Sequence, residues 1–243
     1  MDRVKKNESN RWERVFLDQQ TVAKPSLFGM IWSPGEQFER MREQPKIWLP
    51  LIIITLISAI VTGFSAYLMP DEMYQAPGMP TLSEDELGMA KMIGAIGGGI
   101  GSLFAIPITI LMMAAIMLLV TTLAHTGATF KQLLSLNIYV YFITVLGLIL
   151  NVLVMPLVGG DPSISVTSLN SLVNAEGLLG GVLSGIEVFA LWTTILTAIG
   201  LHQVAKLSKG MSWTVAIVFY LVGIAITVGS LWINEMFSGM AGV

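Results

Sequence analysis

Few residues in this sequence have the type and setting to do chemistry, and the first of them is Glu187, a carboxylate in the outer part of a long apolar run. An ionised carboxylate is expensive in hydrocarbon, so an acid at that depth faces protein or water, and it acts through a polar partner or carries a proton. Asn151 lies at similar depth in another apolar run and is the expected hydrogen-bond partner. Two uses remain open for this pair: a packing role, or a proton or cation site. His125 in LAHTGATF and His202 in GLHQVAKL sit at the ends of apolar runs and would make a metal pair only if the fold joined them. Roles at helix ends are the more common use of such histidines.

Other chemistry finds no residues to carry it. There is no H-E-x-x-H zinc helix, no G-x-S-x-G nucleophile elbow and no Walker P-loop. The chain has 0 cysteines, which removes disulfides, thiolate catalysis and Cys-ligated metal centres. We therefore expect no catalytic, cofactor-binding or metal-ligating residues, and no nucleic-acid partner.

Glycine spacing points to helix packing. Gly177, Gly181 and Gly185 recur every fourth residue, and Gly94–Gly98 and Gly97–Gly101 are further four-residue pairs. Rows of this kind let a second helix approach closely, within the chain or from a partner. A sharper alternative is that the consecutive glycines Gly97, Gly98 and Gly99 break their helix and present backbone groups to a substrate, as broken helices do in transporters.

The elements that would hold these residues are membrane helices. Hydrophobic residues make up 54% and charged residues 12% of the 243-residue chain, whereas soluble domains carry about a quarter charged residues. Apolar runs predict five spans, at about 47–68, 92–123, 132–155, 180–201 and 213–233, forming one all-α, five-helix bundle over 47–233. The second run would be about 48 Å long as one helix, which exceeds a hydrocarbon core of roughly 30 Å. Pro107 is the expected place for a kink in it. Ser83 to Glu86 reads as a cap for an extension of that run.

Charge sets the orientation. Nine of the 13 basic residues precede the first run, and five crossings would place twelve of them on one side with Lys91 alone opposite. The positive-inside rule then predicts a cytoplasmic N-terminus and an outer C-terminal tail over 234–243. Within the N-terminal segment, 1–46, the stretch up to Gln20 reads as mobile. Ser33 followed by Pro34 and Glu36 predicts a capped helix over about 34–43, with Phe38 and Met41 on one face. That face is expected to lie along the inner membrane surface, against lipid.

Ser33-Pro34 followed by Phe38 and Pro45 before the first span resembles the start of a Yip-family membrane domain. Ala128 to Leu133 opening the third span, and Trp192 to Leu201 followed by Leu207-Ser208 closing the fourth, extend the resemblance over about Pro25 to Ile233. It implies five helices and a cytoplasmic N-terminus. The DLYGP-like pattern of eukaryotic members is absent, so the chain is more similar to the bacterial branch. Relatives there accompany an ABC exporter made of a nucleotide-binding subunit, a permease and a periplasmic-adaptor-like subunit. The resemblance thus implies an accessory subunit, with the permease and its associated subunits, membrane lipid and a second copy of the chain as expected partners.

Overall fold

The computed structural model describes residues 23–75, 81–158 and 164–241, with backbone alone described near the C-terminal end. The basic residues Arg3, Lys5, Lys6, Arg11 and Arg14, and the segment expected to be mobile, lie outside the described residues. In chain order the helices are α1 (Gly29–Trp32), α2 (Pro34–Glu43), α3 (Trp48–Tyr67), a 3-10 turn (Asp71–Tyr74), α4 (Glu84–Leu123), α5 (Phe130–Val158), α6 (Asn170–Val173), α7 (Gly177–Gly185), α8 (Val188–Gln203) and α9 (Lys209–Ala241). No strand occurs among the described residues; a single antiparallel bridge joins Ser168 to Glu187.

Four of these helices, α3, α4, α5 and α9 from Lys209 to Ser230, are long and apolar enough to cross a bilayer; α8 is apolar but shorter. Their outer faces carry Ile60, Phe104, Met112, Leu119 and Ile226 exposed, a surface that would be untenable in water and is ordinary in lipid. The central helix is α5. It is apolar all round, as a helix surrounded by protein must be, and Leu133, Leu136, Ile138, Tyr139, Ile143 and Val145 on it are sealed from solvent. Packed around it are α3, α4 and α8, with α9 laid against α7 and α8.

Gly97, Gly98 and Gly99 do not break α4, which corrects the sharper sequence reading. The helix is continuous over 40 residues and passes through Pro107 as well. Each glycine costs a helix about 1 kcal/mol, but in hydrocarbon a broken helix strands backbone groups at several kcal/mol each. The close fit to α3 adds to this: a Cβ on Gly63 would come 2.9 Å from the Ala95 carbonyl oxygen, and one on Gly99 3.2 Å from that of Ala59. At its start Ser83 accepts from the Glu86 amide, while the Glu86 carboxylate takes the Ser83 N–H at 2.8 Å. That N–H and the Ser83 hydroxyl, which also donates to the carboxylate at 2.7 Å, hold the Glu86 carboxyl below its usual range. Lys91 pairs with Asp71 at 2.5 Å, which pushes its ammonium pKa up.

The N-terminal helix spans Pro34–Glu43, but its environment differs from the sequence reading. Phe38 and Met41 are both 0% exposed, packed against α5 and α8 rather than against lipid. Gly200 on α8 is their seat, since a Cβ there would reach 3.2 Å from Phe38 Cε1 and 2.3 Å from Leu136 Cδ1. Ser33 takes the N-cap position without a capping bond from its side chain. Glu36 turns instead to Arg40, at 3.2 Å. The buried residue Gln37 organises this corner, accepting from Ser26 N at 2.8 Å and donating to Ser33 Oγ. At the other terminus α9 continues to Ala241, where a tail was expected from 234; no proline interrupts WINEMFSGMA.

Candidate functional site at the broken helix

The fourth apolar run does not form one helix. Four glycines and a serine are among the nine residues of α7, GLLGGVLSG, and the helix stops at Gly185; Glu187 is extended, and α8 starts at Val188. The five-helix reading therefore becomes four long helices and one element in two pieces. The break lies at a carboxylate because a helix N-terminus presents unpaired amides and a partial positive charge. Glu187 is the N-cap of α8, and its Oε2 accepts from Ala190 N at 2.7 Å. Its other oxygen accepts from the Thr167 hydroxyl.

Asn151 and Glu187 are not bonded to each other. They grip neighbouring residues of one segment: Asn151 Oδ1 accepts from Val166 N at 2.8 Å, while Glu187 holds Thr167. That segment forms a turn beside the break, with Leu169 N donating to Ile186 O at 2.9 Å and Val188 N to Thr167 O at 3.3 Å. The backbone groups freed by the interruption are thus met by the chain's own loop. Tyr220 of α9 donates to Gly185 O at 3.1 Å and closes the last turn of α7. Thr167 and Tyr220 are the residues that sequence reasoning missed; Thr167 lies in a polar loop with no spacing signal.

Gly185 meets α9 closely, since a Cβ there would lie 2.7 Å from Ile224 Cγ1. Gly181 is buried, and Gly177 has a φ of +60°, a conformation that favours glycine at the turn into α7. Gly94 lies under the Tyr74 ring and Gly98 faces Ala66 and Thr62, whereas Gly97 and Gly101 have nothing within 4 Å and face outward.

Between α4, α5, α8 and α9 lies a cavity of about 560 Å³ that both Asn151 and Glu187 line. Threonines from several helices line it too; Thr193 and Thr194 return their hydroxyl protons to the Ala190 carbonyl at 2.9 and 2.7 Å. This is a largely apolar chamber with a few polar side chains, and its carboxylate already has donors on both oxygens. His202 lies elsewhere, its Nδ1 2.7 Å from Leu207 O, and His125 forms a left-handed turn after α4. Among the described residues no three His, Asp or Glu side chains converge on a metal position.

The comparisons with known proteins agree with this architecture. Residues 28–231 match the Yip1 domain. The chain is 35% identical over 226 residues to "Membrane protein YknW" of Bacillus subtilis (strain 168), covering 89% of this chain and 91% of that protein. No solved structure matches it. A helical membrane protein matched over nearly all of its described bundle, this chain belongs to the Yip1 family.

Proposed function

We propose that the chain is a non-enzymatic accessory or assembly subunit of an ABC-type export complex. The observation that carries this reading is the outer face of α4. Gly97 and Gly101 open onto nothing there, between large exposed side chains such as Ile96, Ile100 and Phe104, which leaves a shallow seat for a partner's transmembrane helix. The resemblance to the bacterial branch supplies the partner, the exporter's permease. The buried fit of α2 against α5 and α8 supports a rigid platform whose outward residues, including Glu39 and Arg42, are left to meet cytoplasmic elements.

In this reading the chain crosses the bacterial cell membrane five times, with α7 and α8 together forming one interrupted crossing. The N-terminus is cytoplasmic and the C-terminus outside, by the distribution of basic residues. Because native cysteine is absent, Asp85→Cys is expected to label from outside and Lys206→Cys only from inside; the reverse pattern overturns the orientation.

Purification in mild detergent tests the function. The permease and nucleotide-binding subunit are expected to co-purify, and Gly97→Leu with Gly101→Leu to release them without changing helix content. Recovery of homo-oligomers alone, moving a solute in liposomes, would sink the accessory reading. The transporter alternative draws on one observation, the interrupted α7–α8 element beside a carboxylate-lined cavity. It predicts that Glu187→Gln abolishes proton-coupled flux while leaving assembly intact.

A further inference from the structure

A second cavity, of about 720 Å³, lies at the opposite end of the bundle from Glu187, between the segment before α1 and the first turns of α3 and α5. Its floor is apolar, formed by Ile53, Ile57 and Phe142, and Lys24, Lys46 and Lys131 line it as well. All three lysines are exposed, and among the described residues none forms an ion pair. Their backbones are fixed by α5: Tyr139 Oη donates to Pro25 O at 3.0 Å, Ser135 Oγ to Lys46 O at 3.0 Å, and Lys131 is itself in the first turn of that helix. No side chain caps α3, so its first amides add positive potential at the same mouth. Trp48, 77% exposed, stands beside it as an indole does at a membrane interface.

We infer that this groove is a binding site for one anionic phospholipid, its phosphate held by Lys24, Lys46 and Lys131 and an acyl chain lying along Ile53 and Ile57 toward Phe142. Charge complementarity selects the occupant. A cluster of cations over an apolar channel at the end of membrane helices matches a negative headgroup joined to hydrocarbon. A zwitterionic lipid offers the lysines no net charge, and a soluble phosphate leaves the groove empty. The Glu187 cavity has no basic residue in its lining and offers an anionic headgroup no such partner.

The test is native mass spectrometry of the full chain from nanodiscs containing equal phosphatidylglycerol and phosphatidylcholine. One retained phosphatidylglycerol per chain is expected. Lys24→Gln, Lys46→Gln and Lys131→Gln together are expected to weaken retention roughly a hundredfold, and each alone roughly fivefold. Ile53→Trp, which fills the groove without touching a charge, is expected to expel the lipid as well. The control set Arg42→Gln, Lys206→Gln and Lys209→Gln removes equal charge outside the groove and is expected to leave retention unchanged. Equal loss in the control set, retention by the Ile53→Trp variant, equal retention of phosphatidylcholine, or full displacement by inorganic phosphate would each overturn the site. The single-lysine variants, at exposed positions, keep the test valid if the triple variant fails to assemble.

Discussion

At the end of α8 near Gln203, Phe38, Met41, Leu136 and Leu201 interlock with no access to solvent, and Gly200 leaves no room for even a methyl group. At its other end Glu187, Thr167, Asn151 and Tyr220 hold backbone groups around a cavity of about 560 Å³. One helix is thus secured by shape at one terminus and by hydrogen bonds at the other. Shape complementarity in a packed interior tolerates no displacement, because its energy comes from many short-range contacts. A few hydrogen bonds beside a cavity can exchange partners without repacking a core. The packed end is suited to act as an anchor, and the hydrogen-bonded end is the more easily rearranged of the two.

The largest expected effect breaks the packed end. Phe38→Ala should destabilise the bundle by about 3–5 kcal/mol, read as a lower thermal midpoint in detergent, with exchange protection lost across α2, α5 and α8 together. Loss confined to α2 would show that this end is not an anchor. At the polar end Glu187→Gln exchanges one acceptor for a donor and should cost about 1–3 kcal/mol. Amide exchange should rise over 164–169 and the start of α8 alone; a global change would erase the contrast between the ends.

Asn151→Ala should cost about 1 kcal/mol, with exchange rising over the same residues. Asn151 and Glu187 act on one segment without touching, so the double variant should depart from additivity by about 0.5 kcal/mol or more. Additive costs would mean that the segment does not move as a unit.

The smallest effect concerns the exposed start of α4. The folded Glu86 carboxyl has a lowered pKa, so its capping contribution is full above the ordinary value of 4.5 and fades as pH falls through the lowered one. Lys91 has a raised pKa, so its contribution is full below 10.5 and fades as pH rises through the raised value. Protection factors at Glu84 to Lys91, taken relative to the intrinsic exchange rate at each pH, should therefore fall at both extremes of pH, while Glu86→Gln should flatten the acid side only. Neither pH extreme should alter Phe38 packing.

Much of this contrast was legible in the sequence. The run 47–68 gave rise to Trp48–Tyr67, and Ser83-x-x-Glu86 formed the reciprocal cap that its spacing implies. Ser33-x-x-Glu36 has the same spacing and did not, because the neighbouring Gln37 is buried and takes Ser33 for itself while Glu36 finds Arg40. Local spacing cannot rank such tertiary competitors. Glycine content pointed to a break at Gly97–Gly99, yet the break came at Glu187, since in apolar surroundings a carboxylate gains more from free amides than glycine gains from flexibility. That Asn151 and Glu187 serve one segment was hidden by the intervening polar loop, whose pairing depends on long-range contacts.

The interruption at Glu187 also bears on how the protein is made. An acidic residue in a hydrophobic stretch lowers its tendency to leave the translocon, by about 2.5–3.5 kcal/mol at the centre and by less toward the outer side where Glu187 lies, and the donors that stabilise this one come from Thr167 and Ala190. During synthesis the stretch that becomes α7 and α8 is therefore a reluctant passenger. The Thr167 loop precedes this stretch and Tyr220 follows it, so the hydrogen bonds that satisfy the break are complete only once α9 has been made.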